Sequence, residues 1–331
     1  MDTAAFRADL DLIPESLGRL ADALDAGLAG LDRLALLGAS RALVVGMGSS
    51  RYAADVVARR FRAVGANVLV ELASVDLLPP AAPDLVVVAV SATGGSVEVL
   101  RAIERYRGTG RLVAITNRPD STLARAADAV VPLHAGVEAS GVACRTFRAT
   151  FAVLDEVLGE LLGTAPAARF DAAALRRGAE ANAALLESSV DWLDPLADLL
   201  TGPDGTWTLA PAERLSSAQQ SALMLREVPR LAAFASETGD WSHVDVYLTK
   251  TQDYRALVYA GSAWDAQALD WMHQRGSRFA AVGGHLDGAE LAVRYPGDDD
   301  PTVAALADTL LGELVADRRL TARSSHARPV G

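Results

Sequence analysis

The sequence predicts an α/β protein: two tandem, doubly wound parallel-sheet domains behind an N-terminal helical segment. Three observations predict it. Short aliphatic runs alternate with helical periodicity, the runs end in turns rich in glycine and small hydroxyl residues, and the arrangement recurs after residue 205. A length of 331 residues accommodates two domains of ordinary size, and 50% hydrophobic against 22% charged residues excludes disorder as the dominant state.

Within residues 1–38, Leu10, Ile13, Leu17, Leu20 and Leu24 recur at three- and four-residue steps, the stripe of an amphipathic helix, with Pro14 as a break. The first domain, 39–165, opens with a strand at 42–46 that ends in Gly46-Met47-Gly48-Ser49-Ser50, followed by a helix at 51–64. Strands follow at 67–72 and 85–90. The latter stops at Ser91-Ala92-Thr93-Gly94-Gly95-Ser96 and passes into a helix at 97–106, then strands at 111–116 and 129–132. A pause near Gly163 and Pro166 places the boundary between 163 and 200, drawn at 165/166, and a long helical segment broken around Pro195 follows. The second domain, 166–316, repeats the design with strands at 206–209, 255–260 and 278–282 and helices at 217–228 and 266–274. An arginine-rich tail, 317–331, is expected to be disordered rather than a lid over an anion.

Composition removes several chemistries. Lys250 is the one lysine among 31 basic residues, which excludes a Schiff-base lysine elsewhere and any GKS/T phosphate loop. Cys144, the lone cysteine, permits no internal disulfide, cysteine-rich zinc site or CxxC pair. A net charge of −11 argues against a nucleic-acid partner. No basic-then-apolar leader opens the sequence, and no apolar run approaches the ~18 residues of a membrane span. The expectation is a soluble, cytoplasmic protein without a membrane partner.

Ligands of open parallel sheets sit beyond the strands' carboxyl ends, where strand order reverses. The two hydroxyl-rich turns of the first domain lie at such ends and precede helices, whose free N–H groups suit a phosphate; capping alone is the simpler alternative. Gly46-Met47-Gly48 also opens a dinucleotide fingerprint, but Arg51 stands where the third glycine belongs, so no nicotinamide or flavin is indicated. In the second domain Glu227 ends a helix and His243 follows in a loop-like segment, a carboxylate and imidazole able to move protons. Taken bare, the simpler reading is the stronger one: Glu227 as a solvated helix-end glutamate and His243 as a surface or satisfied histidine.

Together these segments resemble the sugar isomerase (SIS) family. The resemblance rests on the Gly48-Ser49-Ser50 and 91–96 turns, the 136–147 stretch, and Ala222-Leu223-Met224-Leu225-Arg226-Glu227 with His243 sixteen residues beyond Glu227. It covers nearly the whole chain and is similar to the isomerase half of glucosamine-6-phosphate synthase, without its glutaminase domain. The resemblance implies flavodoxin-like domains in tandem and a phosphorylated sugar as substrate. It implies substrate binding by Gly48, Ser49, Ser50, Ser91, Thr93, Gly94, Ser96 and Val142, with catalysis by Glu227, the C1/C2 proton shuttle, and His243, which opens the ring. It further implies no cofactor, no metal, and a homodimer with shared active sites. This chain departs from the family at Ala92 and Gly95, at Met224 where the family has lysine, and at Val244-Asp245 in place of Gly-Pro. The expected activity is a phosphosugar or amino-sugar-phosphate aldose–ketose isomerase, deaminating or not; the alternative is a sugar-phosphate sensor with reduced turnover.

Overall fold

The computed structural model describes residues 2–34 and 37–326. The chain divides into two compact units, a first of Glu15–Arg176 and a second of Met1–Pro14 with Arg177–Gly331. The partition therefore falls at 176/177 rather than 165/166, inside a continuous helix. The N-terminal segment is also shared: α1 (Thr3–Asp11) belongs to the second unit, while α2 (Ile13–Ala26) and α3 (Leu31–Leu34) serve the first. Pro14 is the second residue of α2, where a missing N–H breaks no helical bond.

In the first unit, β1 (Arg41–Gly46), β2 (Asn67–Leu72), β3 (Leu85–Val90), β4 (Leu112–Thr116) and β5 (Ala129–Pro132) form one parallel sheet in the order β2-β1-β3-β4-β5. All six residues of β3 are buried, which is why this strand reads as an unbroken apolar run. The helices are α4 (Gly48–Ala63), α5 (Val97–Ile103) with a 3-10 turn Glu104–Tyr106, α6 (Thr122–Ala126) and α7 (Arg145–Leu162). Helix α4 starts at Gly48, not at 51, so Ser49 and Ser50 lie in its first turn rather than in a turn before it. Met47 is extended and Gly48 takes φ +48°, the left-handed region that glycine tolerates, which turns the chain abruptly off β1.

The second unit contains α8 (Ala172–Leu200) from residue 177 on, β6 (Thr206–Ala210), a 3-10 turn Ala212–Arg214, α9 (Leu215–Glu227), β7 (Ala233–Glu237), α10 (Thr238–Trp241) and a 3-10 turn Asp245–Lys250. After these come β8 (Arg255–Tyr259), α11 (Asp265–Gln274), β9 (Arg278–Val282), β10 (Leu291–Val293), α12 (Pro301–Ala307) and α13 (Thr309–His326). Its parallel sheet runs β10-β9-β8-β6-β7, the same winding as the first. Two expectations are corrected here. The break at Pro195 is absent: α8 runs through it, because Trp192, Leu196, Ala197 and Leu200 are buried and outweigh the ~3 kcal/mol that an interior proline costs. Nor is the basic stretch disordered as far as residue 326: it is the end of α13, pinned by Arg318 on Asp194, Arg319 on Asp198 at 2.9 Å, and Arg323 on the Pro229 carbonyl. Residues 327–331 lie outside the described residues.

Candidate functional site

In the first sheet, strand order reverses between β1 and β3, which are direct neighbours, with Val45 paired to Ala89. The two hydroxyl-rich segments leave the carboxyl ends of those strands, so the sheet brings them side by side. A Cβ at Gly46 would lie 3.4 Å from both the Ser50 side chain and the Val90 carbonyl, which measures how closely the β1 end approaches its neighbours. The first turn of α4 has no side-chain cap, so its orphan N–H groups are open to an anion. Ser49 is 9% exposed and Ser50 half-buried, both in that turn. Arg51 follows them. It pairs with Asp55, and its Nε–H is buried without a partner among the described residues.

The 91–96 loop is held by its own hydroxyls. Ser91 Oγ lies 3.2 Å from Ser96 Oγ and accepts from Gly94 N at 3.2 Å, while Thr93 Oγ1 accepts from Gly95 N at 3.3 Å. Ser91 is buried at 4% exposure, Thr93 is exposed and Ser96 half-buried. Gly94 adopts φ +62°, and a Cβ there would overlap Ser121 Oγ at 2.0 Å, so only glycine lets this loop nest against the start of α6. The departures Ala92 and Gly95 leave these bonds intact, since Gly95 takes part only through its N–H and the Ala92 carbonyl accepts from Thr116 Oγ1 at 3.3 Å.

Val142, buried in the same unit, sits in a loop organised by a residue that sequence reasoning missed. The Glu138 carboxylate accepts from Cys144 N at 2.7 Å, Arg145 N at 2.6 Å, Thr146 N at 3.1 Å and Thr146 Oγ1 at 2.7 Å, capping α7. Burial pushes its carboxyl above the ordinary glutamate range, opposed by those donors. The Arg145 guanidinium donates to the Ala135 carbonyl at 3.1 Å and to that of Val137, fixing the other side of the loop. No local capping pattern marks Glu138, which stands seven residues before the first residue of α7.

In the second unit, Glu227 is the last residue of α9, and no hydrogen bond or ion pair engages its carboxylate among the described residues. Although solvent reaches it, partial desolvation raises its pKa above the usual glutamate value. His243 is exposed in the turn after α10, its N–H donating to the Asp240 carbonyl at 2.8 Å. Asp245, where the family has proline, accepts from Ser236 Oγ. Met224, where the family has lysine, is fully buried in the core of its unit.

The class of protein is thus a two-unit, doubly wound α/β protein whose first unit gathers uncharged hydroxyls and an uncapped helix start at the switch point of its sheet. Residues 35–158 match the SIS domain family, so the first unit carries a SIS domain, and the whole chain has the two-domain SIS fold. Curated relatives include the isomerizing glutamine–fructose-6-phosphate aminotransferases of Aeropyrum pernix, 29% identical over 68% of this chain and 38% of theirs, and of Sulfolobus acidocaldarius, 26% identical over 71% and 39%. The chain spans about two fifths of the length of those relatives. Among solved structures, tagatose-6-phosphate ketose/aldose isomerase from Escherichia coli superposes with TM-score 0.77 at 17% identity, over 99% of this chain and 96% of that one. The C-terminal domain of glucosamine-fructose-6-phosphate aminotransferase from Francisella tularensis gives 0.77 at 18%, over 96% of each. At such identities these two structures show the fold.

Proposed function

We propose that the protein is an aldose–ketose isomerase acting on a phosphorylated sugar or amino sugar, with release of ammonia as a variant of the same chemistry. The observation that carries this reading is the pair of hydroxyl-lined segments side by side at the ends of β1 and β3. In it the phosphate is held by the Ser49, Ser50, Ser91, Thr93 and Ser96 hydroxyls and by the uncapped α4 amides near Gly48, with Gly94 shaping the second loop, while the backbone at Val142 meets the sugar. The second unit supplies the proton-transfer groups. Glu227 carries a proton between C1 and C2 through an enediol, because the carbonyl acidifies the adjacent C–H, and its raised pKa suits both taking and returning it. His243 serves ring opening. No metal or organic cofactor enters the scheme.

Incubating the protein with candidate sugar phosphates in heavy water tests it: deuterium is expected at C1 or C2, and equal exchange by Glu227→Gln removes Glu227 from the mechanism. Burial of Met224 where the family has lysine favours the second reading, a sensor. Thermal stabilisation by a sugar phosphate with neither exchange nor product selects that reading. A homodimer with shared sites completes the proposal, and light scattering should return twice the chain mass of 34.6 kDa.

A further inference from the structure

The 91–96 loop and the loop that carries Val142 leave different strands, β3 and β5, and β4 lies between them in the first sheet. One residue just past the end of β4 is bonded to both. On the β3 side the ladder continues beyond Val90, with Ser91 N–H donating to the Ile115 carbonyl at 3.0 Å and Asn117 N–H to the Ala92 carbonyl at 3.1 Å. On the β5 side the paired register ends at Thr116 and Pro132, with Leu133 N–H on the Thr116 carbonyl at 3.0 Å. There the Asn117 side chain takes over. Its Nδ2–H donates to the Gly136 carbonyl at 2.6 Å, and its Oδ1 accepts from Ala135 N at 3.2 Å. A side-chain amide thus stands in for one more peptide of β4.

The segment it grips is strained. His134 takes φ +54° and Gly136 φ +71°, and a left-handed conformation at a non-glycine residue persists where its surroundings over-determine it. The other side of the segment is anchored on helices: the Ala135 carbonyl accepts from Ser16 Oγ of α2 at 3.3 Å and from the Arg145 guanidinium of α7 at 3.1 Å. What Asn117 adds is the tie toward the hydroxyl loop. Its main chain, with Thr116 Oγ1 on the same Ala92 carbonyl at 3.3 Å, serves the 91–96 loop, while its side chain serves residues 135 and 136.

We infer that Asn117 is a positioning residue: its side chain sets the Val142 loop relative to the hydroxyl loop, and so determines how strongly a sugar phosphate is preferred over bare phosphate. The inference rests on the proposed assignment of phosphate to the one loop and sugar to the other. Truncating the side chain leaves both bonds to the Ala92 carbonyl in place and removes the two to residues 135 and 136.

Calorimetric titration of the full chain with fructose 6-phosphate, glucose 6-phosphate and inorganic phosphate tests this. Asn117→Ala should weaken the better-bound sugar phosphate at least tenfold and inorganic phosphate less than twofold. A role confined to stability would weaken both alike. Asn117→Ser, too short to span the two bonds, should show the same split and serves if the alanine variant folds poorly. In either variant, amide hydrogen exchange should accelerate at least tenfold at Ala135 and change less than twofold at Gly94 and Gly95. Proportional losses for both kinds of ligand, unchanged sugar-phosphate binding, or unaltered exchange at Ala135 would overturn the inference. Should the parent prefer neither sugar phosphate to bare phosphate, it is the proposed function that fails, and the exchange at Ala135 then decides by itself whether Asn117 holds the loop.

Discussion

The two sheets wind in the same order, yet their carboxyl ends carry opposite chemistry. The first ends in serines, a threonine and an uncapped helix start; the second ends in carboxylates, one of them already seated on the loop amides. Backbone geometry alone therefore does not make a phosphate site. In the first loop the Gly94 and Gly95 amides are met by the neutral hydroxyls of Ser91 and Thr93, in the second the Gly261 and Ser262 amides by the Asp265 carboxylate, so the two loops differ in the charge of their internal acceptor.

The largest effect expected from probing this contrast is on stability. Arg214 and Asp308 form a pair at 2.5 Å with both side chains buried, something the first unit lacks at its switch point among the described residues. Arg214→Met strands the Asp308 carboxylate, and the loss should be about 3–5 kcal/mol by urea unfolding. Arg214→Met with Asp308→Leu should recover much of it, and a single substitution costing under about 1 kcal/mol would deny the pair its role. Next in size is Ser96→Asp, which gives the first loop the second loop's internal anion. Phosphate or sugar-phosphate affinity should fall at least ~100-fold by calorimetry, because like charges brought together cost several kcal/mol. Undiminished affinity would show that the ligand's anion lies elsewhere.

A smaller change should follow from Glu138→Ala. Three N–H groups at the start of α7 lose their acceptor, which costs about 1–2 kcal/mol in thermal or chemical unfolding. The comparable loss in the second unit, Asp265→Ala, removes two such bonds from the 261–265 turn and should cost less.

Burial explains what could be read in advance. Strands β1 and β3, covered on both faces, stand out as apolar runs, and the hydroxyl segments are legible because they follow them directly. Edge strand β7 is not, since Phe234 is 46% exposed and no alternation marks it, and β10 has three residues. Helix α7 is buried nearly all round although Phe147, Phe151, Leu154, Leu158 and Leu161 recur at three- and four-residue steps. Arg214 and Asp308 are 94 residues apart, a separation that no local pattern bridges. Pro195 misled because interior proline is usually a terminator, and tertiary burial overrode it.

The smallest effect separates the two units by their buried carboxylates. In the first unit Asp155, fully buried, receives Arg169 Nε at 2.7 Å. In the second unit Asp317 of α13 is buried with Oδ1 unpartnered, facing Arg7 and Asp11 of α1, and burial raises its pKa to about 6. A carboxyl whose folded pKa exceeds its unfolded value favours the fold when protonated, so its ionisation lowers stability as pH climbs from about 4 to about 6, and the cost persists above. Asp317→Asn lacks that ionisation. It should match the parent near pH 4 and exceed it by about 1 kcal/mol at pH 7.5, the figure being reduced for partial solvent access. Melting temperatures at the two pH values check the sign: an Asn variant that is less stable at pH 7.5 would mean that the attraction of Arg7 outweighs the desolvation of Asp317, and that both units pair their buried acids alike.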